Sequence, residues 1–193
     1  PMSDVHFDHS DYNQRPIELE KFFRYLEQKV RKPDPSGYTP VLSADLFGMT
    51  TTNKDDLTIG QVMERATPYF DYIAPMTYPS HYPRGFNGYS NPNENVYGVI
   101  KYSMDRAIPR VESATTTIAA LAYEPIGTTT LYRKPARDRS LLRPWLQDFD
   151  YGGDYGPKEV RDQIQALYDV GITSWMLWAP SNRYTRGALK SAE

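Results

Sequence analysis

The chain has 193 residues, with 22 Lys and Arg against 24 Asp and Glu, a net charge of −2 and 39% hydrophobic residues. This is the composition of a globular chain long enough to bury a core, and its near-neutral balance offers no footprint for nucleic acid or an anionic membrane. The absence of cysteine excludes disulfides, thiolate metal sites and cysteine nucleophiles, and no apolar run is long enough to span a bilayer.

In chain order, Val5-His6-Phe7-Asp8 reads as the end of a strand. Arg15–Arg31 places Leu19, Phe22, Phe23, Leu26 and Val30 at helical spacing, with Pro16 in the first turn. Val41–Asp45 is the next strand, after a Pro/Gly loop. Thr58 followed by Gln61 has the form of a capping box, opening a helix that carries Val62, Met63 and Ala66. Tyr72–Met76 is a third strand. A Tyr-, Pro-, Gly- and Asn-rich loop follows over Tyr78–Tyr89, then a helix capped by Asn91 with Pro92 at its first position. Residues 113–140, rich in Thr and punctuated by Pro, read as an inserted loop. Arg143–Gln147 is a fourth strand entered through Pro144, Pro157–Val170 a helix closed by Gly171, and Ile172–Trp178 a fifth strand.

Strand starts near residues 5, 41, 72, 143 and 174 lie 36, 31, 71 and 31 residues apart. About 30 residues is one strand–helix unit with a crossover, so the expectation is an α/β fold with a parallel sheet across residues 1–193 as one domain. No Gly-rich phosphate loop follows any strand, which argues against a nucleotide-binding sheet. In parallel α/β folds the chemistry gathers at the carboxyl ends of strands. Those ends carry Asp8, Asp45, Met76–Tyr78, Gln147, Asp148 and Trp178. Acids, an amide and aromatic rings on one face suit a carbohydrate, and the 16 Tyr add flat faces with polar edges.

Four ordered motifs carry a resemblance. They are Ser43-Ala44-Asp45-Leu46-Phe47-Gly48, Ile73-Ala74-Pro75-Met76-Thr77-Tyr78-Pro79-Ser80-His81-Tyr82, Arg143-Pro144-Trp145-Leu146-Gln147-Asp148-Phe149 and Trp178-Ala179-Pro180-Ser181-Asn182. Together they resemble the putative glycoside hydrolase domain family, a prokaryotic TIM-barrel group. The resemblance implies a TIM-type (β/α) barrel of which this chain holds about the last five βα units, since a complete barrel takes about 250 residues. It also implies a glycosidase acting on a polysaccharide or oligosaccharide through paired carboxylates. Asp8 is then the principal acid, Asp45 its partner and Asp148 the reserve. Tyr78, His81, Tyr82, Trp145, Gln147, Trp178 and Asn182 are the expected substrate contacts, with Trp178 as the floor under a sugar ring.

Met76-Thr77-Tyr78 is also similar to the sixth-strand motif of chitinase-like enzymes. Pro79 stands where those enzymes have Asp, so their substrate-assisted mechanism does not carry over. No cofactor and no metal are expected; His6, Asp8, His9 and Asp11 are the alternative, as a set of N and O ligands for a divalent ion. The other alternative is a non-catalytic carbohydrate-binding or structural remnant of the barrel. Carbohydrate is the expected partner, with self-association where a truncated sheet leaves its edges bare. Pro1-Met2-Ser3-Asp4 has neither a basic nor an apolar leader character, and the extracytoplasmic side or cell envelope is favoured on the assumption of a signal trimmed from a longer parent.

Overall fold

The computed structural model describes residues 14–114 and 138–189. The expected strand at Val5–Asp8 and most of the expected inserted loop therefore lie outside the described residues. Helix α1 (Gln14–Val30) is followed by strand β1 (Ser43–Phe47), a short helix α2 (Met63–Ala66) and strand β2 (Tyr72–Met76). The chain continues through helix α3 (Val96–Ser113), strand β3 (Trp145–Gln147), helix α4 (Pro157–Asp169) and strand β4 (Met176–Trp178). The four strands form one sheet in the order β1-β2-β3-β4, each pair parallel. This is the α/β arrangement expected from the strand spacing.

The sheet has one covered and one open face. Ala44 and Leu46 of β1, Ile73 of β2 and Leu146 of β3 are buried against Met63 and Ala66 of α2, Ile100, Met104, Ala107 and Val111 of α3, and Ile164 and Leu167 of α4. Fully burying such a side chain contributes about 1.5–3 kcal/mol. Successive strand residues point to opposite faces, so the register puts Ser43, Asp45, Phe47, Ala74, Met76, Trp145, Gln147, Met176 and Trp178 on the other side. Parallel strands are usually buried on both faces and read as unbroken apolar runs. β1 instead alternates, with Ser43, Asp45 and Phe47 exposed and Ala44 and Leu46 buried. Its sequence is written for a face that remains wet.

The ladder between β2 and β3 is interrupted. Arg143 N–H donates to the Ile73 carbonyl and Thr77 N–H to the Trp145 carbonyl. The residue that would donate between them is Pro75, which has no N–H.

Several local expectations need correction. The strand expected over Val41–Asp45 runs Ser43–Phe47 and that over Arg143–Gln147 starts at Trp145, while Asn91 caps a single 3-10 turn (Pro92–Glu94) ahead of α3. Thr58 and Gln61 form no capping box: Thr58 has a left-handed backbone (φ 60°), and α2 begins only at Met63 after the extended Val62. The Asp56 carboxylate captures the Thr58 N–H at 3.0 Å, and the Gln61 side chain accepts from Phe47 N–H at 2.8 Å instead. In α1, Phe22 is 53% exposed and does not join the core face, whereas Phe23 and Leu26 do pack on it. The buried positions on that helix are Pro16 and Glu20, the latter held by Arg65 and by the Tyr69 hydroxyl at 3.0 Å. The last expected strand is short, because regular pairing starts at Met176 rather than at Ile172.

Candidate active site

At the carboxyl end of the open face the indole N–H of Trp145 donates to Asp45 Oδ1 at 2.9 Å. The bond crosses β2, which separates the two strands, and occupies one carboxylate oxygen while Asp45 stays exposed. The Trp145 ring meets Trp178 edge-on, with centroids 5.9 Å apart and planes at 84°. Trp178 is 42% exposed, which leaves one ring free to take a flat ligand. Asp45, Trp145 and Trp178 are therefore brought together.

A second group forms where β2 ends. The Tyr78 ring lies 5.4 Å from His81 and 5.7 Å from Phe149, and His81 lies 6.0 Å from Tyr151. Tyr78 is 8% exposed, and its hydroxyl has no hydrogen-bond partner among the described residues. That hydroxyl is not among the atoms sealed from solvent, so it is an available donor. Burial, reinforced by the negative charge of Asp45, pushes the phenol well above its ordinary pKa and keeps it protonated.

Other expected contacts are spent on holding loops. Gln147 is fully buried; its Oε1 accepts from the Ser80 N–H (3.2 Å) and hydroxyl (2.9 Å), and its Nε2 donates to the Phe149 carbonyl. It ties the loop carrying His81 to the loop carrying Phe149 and Tyr151. Asp148, 4% exposed, accepts from the Thr185 N–H at 2.9 Å and hydroxyl at 2.6 Å, latching the segment after β4. Tyr82 is buried, its hydroxyl accepting from Ser103 at 3.1 Å, and burial raises its phenol to about 12. Asn182 stands in an exposed turn with φ 55° and makes no bond to the others. Asp8 lies outside the described residues, as do His6, His9 and Asp11. Among the described residues no cluster of His, Asp and Glu is arranged to hold a metal, and no helix is long and apolar enough to cross a membrane.

Residues without an expected role also shape the site. Phe149 and Tyr151 extend the aromatic group. Phe47, Met49, Leu57, Ile59, Met76, Tyr78 and His81 line a cavity of about 480 Å³ beside the ends of β1 and β2. Phe149 follows Gln147-Asp148 directly in sequence and was within reach of the strand-end argument. Leu57 and Ile59 sit in a loop that no periodicity marks. A separate polar cleft of about 640 Å³ opens between the starts of α3 and α4, lined by Asn91, Asn93, Glu94 and Asp154 among others; it shares no residue with the first cavity.

Residues 1–184 match the family model described as Putative glycosyl hydrolase domain. The chain belongs to this family. No curated protein matches it. Among solved structures it is similar to the PgaB (BpsB) glycoside hydrolase domain from Bordetella bronchiseptica, with a TM-score of 0.52 and 14% sequence identity. The likeness covers 86% of this chain and 38% of that one, so the chain spans well under half the length of its structural relative. At such identity the likeness concerns the fold.

Proposed function

We propose that this member of the family is part of a glycoside hydrolase that cleaves an oligosaccharide or polysaccharide across the open face of its sheet. The observation that carries the reading is the Trp145–Asp45 hydrogen bond beside the half-exposed Trp178. It sets an ionisable carboxylate next to an aromatic platform at the strand ends, where α/β barrels put their chemistry. The four parallel strands form, on this reading, a sector of a TIM-type barrel, with the open face turned to the barrel interior. Strand order, the alternation in β1 and the 38% coverage of the relative support this.

Glycoside cleavage needs one carboxylic acid to protonate the leaving oxygen and one carboxylate to act as nucleophile or base. Asp45 is proposed as one of the pair. Its hydrogen bond from Trp145 holds one carboxylate oxygen in a fixed orientation and leaves the other open to a ligand, which suits a nucleophile or base. Asp8 is assigned as the acid on sequence grounds. Asp148 is the reserve carboxylate, and its two bonds to Thr185 give it a positioning part in the same site. Tyr78 donates to the substrate, and Trp178 carries a sugar ring. His81, Tyr82, Gln147 and Asn182 complete the proposed contacts, Gln147 by fixing the loops.

A second reading, a non-catalytic carbohydrate-binding module, is favoured by one observation: Asp45 is the only carboxylate among the described strand residues of the open face. Release of reducing ends from a polysaccharide panel by the intact protein, compared with its Asp45→Asn and Asp8→Asn variants, separates the two. Loss of turnover in both variants with glycan binding retained supports the hydrolase. Binding without turnover in the wild type supports the module.

A further inference from the structure

We infer that the cavity between the ends of β1 and β2 is a subsite for an apolar aglycone, an aryl or branched-alkyl group joined to the glycosidic oxygen. The inference rests on the reading of the Asp45 face as a glycoside site and narrows its substrate to a saccharide that carries such an aglycone on the cleaved bond, in place of a polysaccharide with sugars on both sides. Phe47, Met49, Leu57, Ile59 and Met76 supply an apolar wall, and about 480 Å³ is within the range of small-molecule pockets, which are mostly apolar with a few polar groups that fix orientation.

The polar inventory decides what fits. A sugar ring carries several hydroxyls, and each one buried without a partner is costly. The Tyr82 hydroxyl is already engaged by Ser103, so Tyr78 and His81 are the lining side chains with polar atoms to offer. Tyr78 is more than nine-tenths buried, lines the cavity, and its hydroxyl has no partner among the described residues. His81 Nδ1 is engaged with the Ser80 hydroxyl at 3.1 Å, and the few polar atoms that remain match a group that brings one oxygen and an apolar body.

The wall opposite Tyr78 is held in a strained shape. Leu57 and Thr58 have φ of 52° and 60°, and left-handed backbone is rare for residues of these types. Asp56 takes the Thr58 and Gly60 N–H groups at 3.0 and 3.2 Å, and Arg15 of α1 donates to the Thr58 carbonyl at 2.6 Å. Gly60 (φ 82°) lies against the Arg15 backbone, where a Cβ would come within 3.1 Å of the Arg15 carbonyl oxygen. These bonds present Leu57 and Ile59 to the cavity although Ile59 remains 44% exposed. The loop thus holds two apolar side chains at the cavity wall instead of turning them into the core, which suits contact with an apolar ligand.

The test uses 4-methylumbelliferone, and matched methyl and 4-methylumbelliferyl glycosides of glucose, galactose, mannose and N-acetylglucosamine, in titrations of the intact protein. The expected result is saturable binding of 4-methylumbelliferone, weakened about tenfold by Ile59→Asp and by Met49→Gln. The aryl glycoside of the preferred sugar binds about tenfold more tightly than its methyl partner, and that ratio collapses in both variants. Melting curves of the variants confirm that they fold. The inference is overturned if 4-methylumbelliferone does not bind, if both folded variants bind it as the wild type does, or if aryl and methyl glycosides bind alike. Binding of 4-methylumbelliferone through Ile59 with no binding of any glycoside overturns the glycosidase reading, and with it the aglycone assignment, while leaving an apolar site in place.

Discussion

The two faces of the sheet are made by the same four strands and obey opposite rules. On the covered face Leu46, Ile73 and Leu146 are at most 1% exposed and belong to one apolar cluster with residues from three helices. On the open face an acid, two indoles and a half-exposed phenylalanine share a surface against which, among the described residues, none of the helices α2–α4 packs. A period of two lets one strand serve both purposes, so stability is concentrated in one set of residues and the proposed chemistry in the alternate set. Substitutions on neighbouring strand positions should therefore fail in different ways.

The largest effect is expected on the open side. Asp45→Asn should lower turnover by about 10²–10⁴-fold, the usual share of a carboxylate in acid–base work, with the melting temperature nearly unchanged because the residue is exposed. Steady-state kinetics beside thermal melts on one preparation check this, and a large loss of stability would break the separation of the faces. One strand over, Ile73→Ala removes most of a fully buried side chain and should cost about 2–5 kcal/mol in urea unfolding, leaving KM unchanged in the folded fraction. Trp178→Ala should raise KM several-fold with kcat preserved, in line with the roughly 0.5–1.5 kcal/mol of a ring contact. A fall in kcat at constant KM would instead place that ring against the reacting atoms.

The smallest effect lies behind the covered face. Glu64 is partly buried, which disfavours its ionised form. The paired bonds from Arg110 at 2.6 and 2.7 Å, with a backbone N–H and the charges of Arg110 and Lys54, together outweigh burial and hold its pKa below the ordinary value. A lowered folded pKa adds stability that is present above the ordinary glutamate pKa and is lost as pH falls through the lowered one. Urea midpoints should therefore drop on acidification across that window, and Glu64→Gln should flatten the drop. Because the side chain is 37% exposed, solvent screening keeps the change small.

Local pattern was legible where backbone and side chain asked for the same thing. Tyr72–Met76 was read to the residue because its apolar run ends in a Thr-Tyr-Pro loop, and Gly171 does close α4 with φ 77°. The shared face of Trp145 and Gln147 followed from the strand period, as the register bears out. The capping box at Thr58 failed because a neighbouring aspartate competed for the same N–H group, which no propensity records. Within the site, the link between Trp145 and Asp45 spans 100 residues, and the latch from Asp148 to Thr185 spans 37. Each depends on which strand lies beside which and how far a side chain reaches, information that arises only on folding.

The phenol of Tyr78 bears on the shape of a pH–rate profile. Its burial and the charge of Asp45 both act in one direction, keeping the proton on oxygen far into alkali. A donor of this kind does not switch off as a lysine or an ordinary tyrosine would near pH 10. On the proposed mechanism, an alkaline decline in turnover is therefore expected to follow the proton-carrying carboxylic acid rather than Tyr78, and a Tyr78→Phe variant should keep the same descending limb.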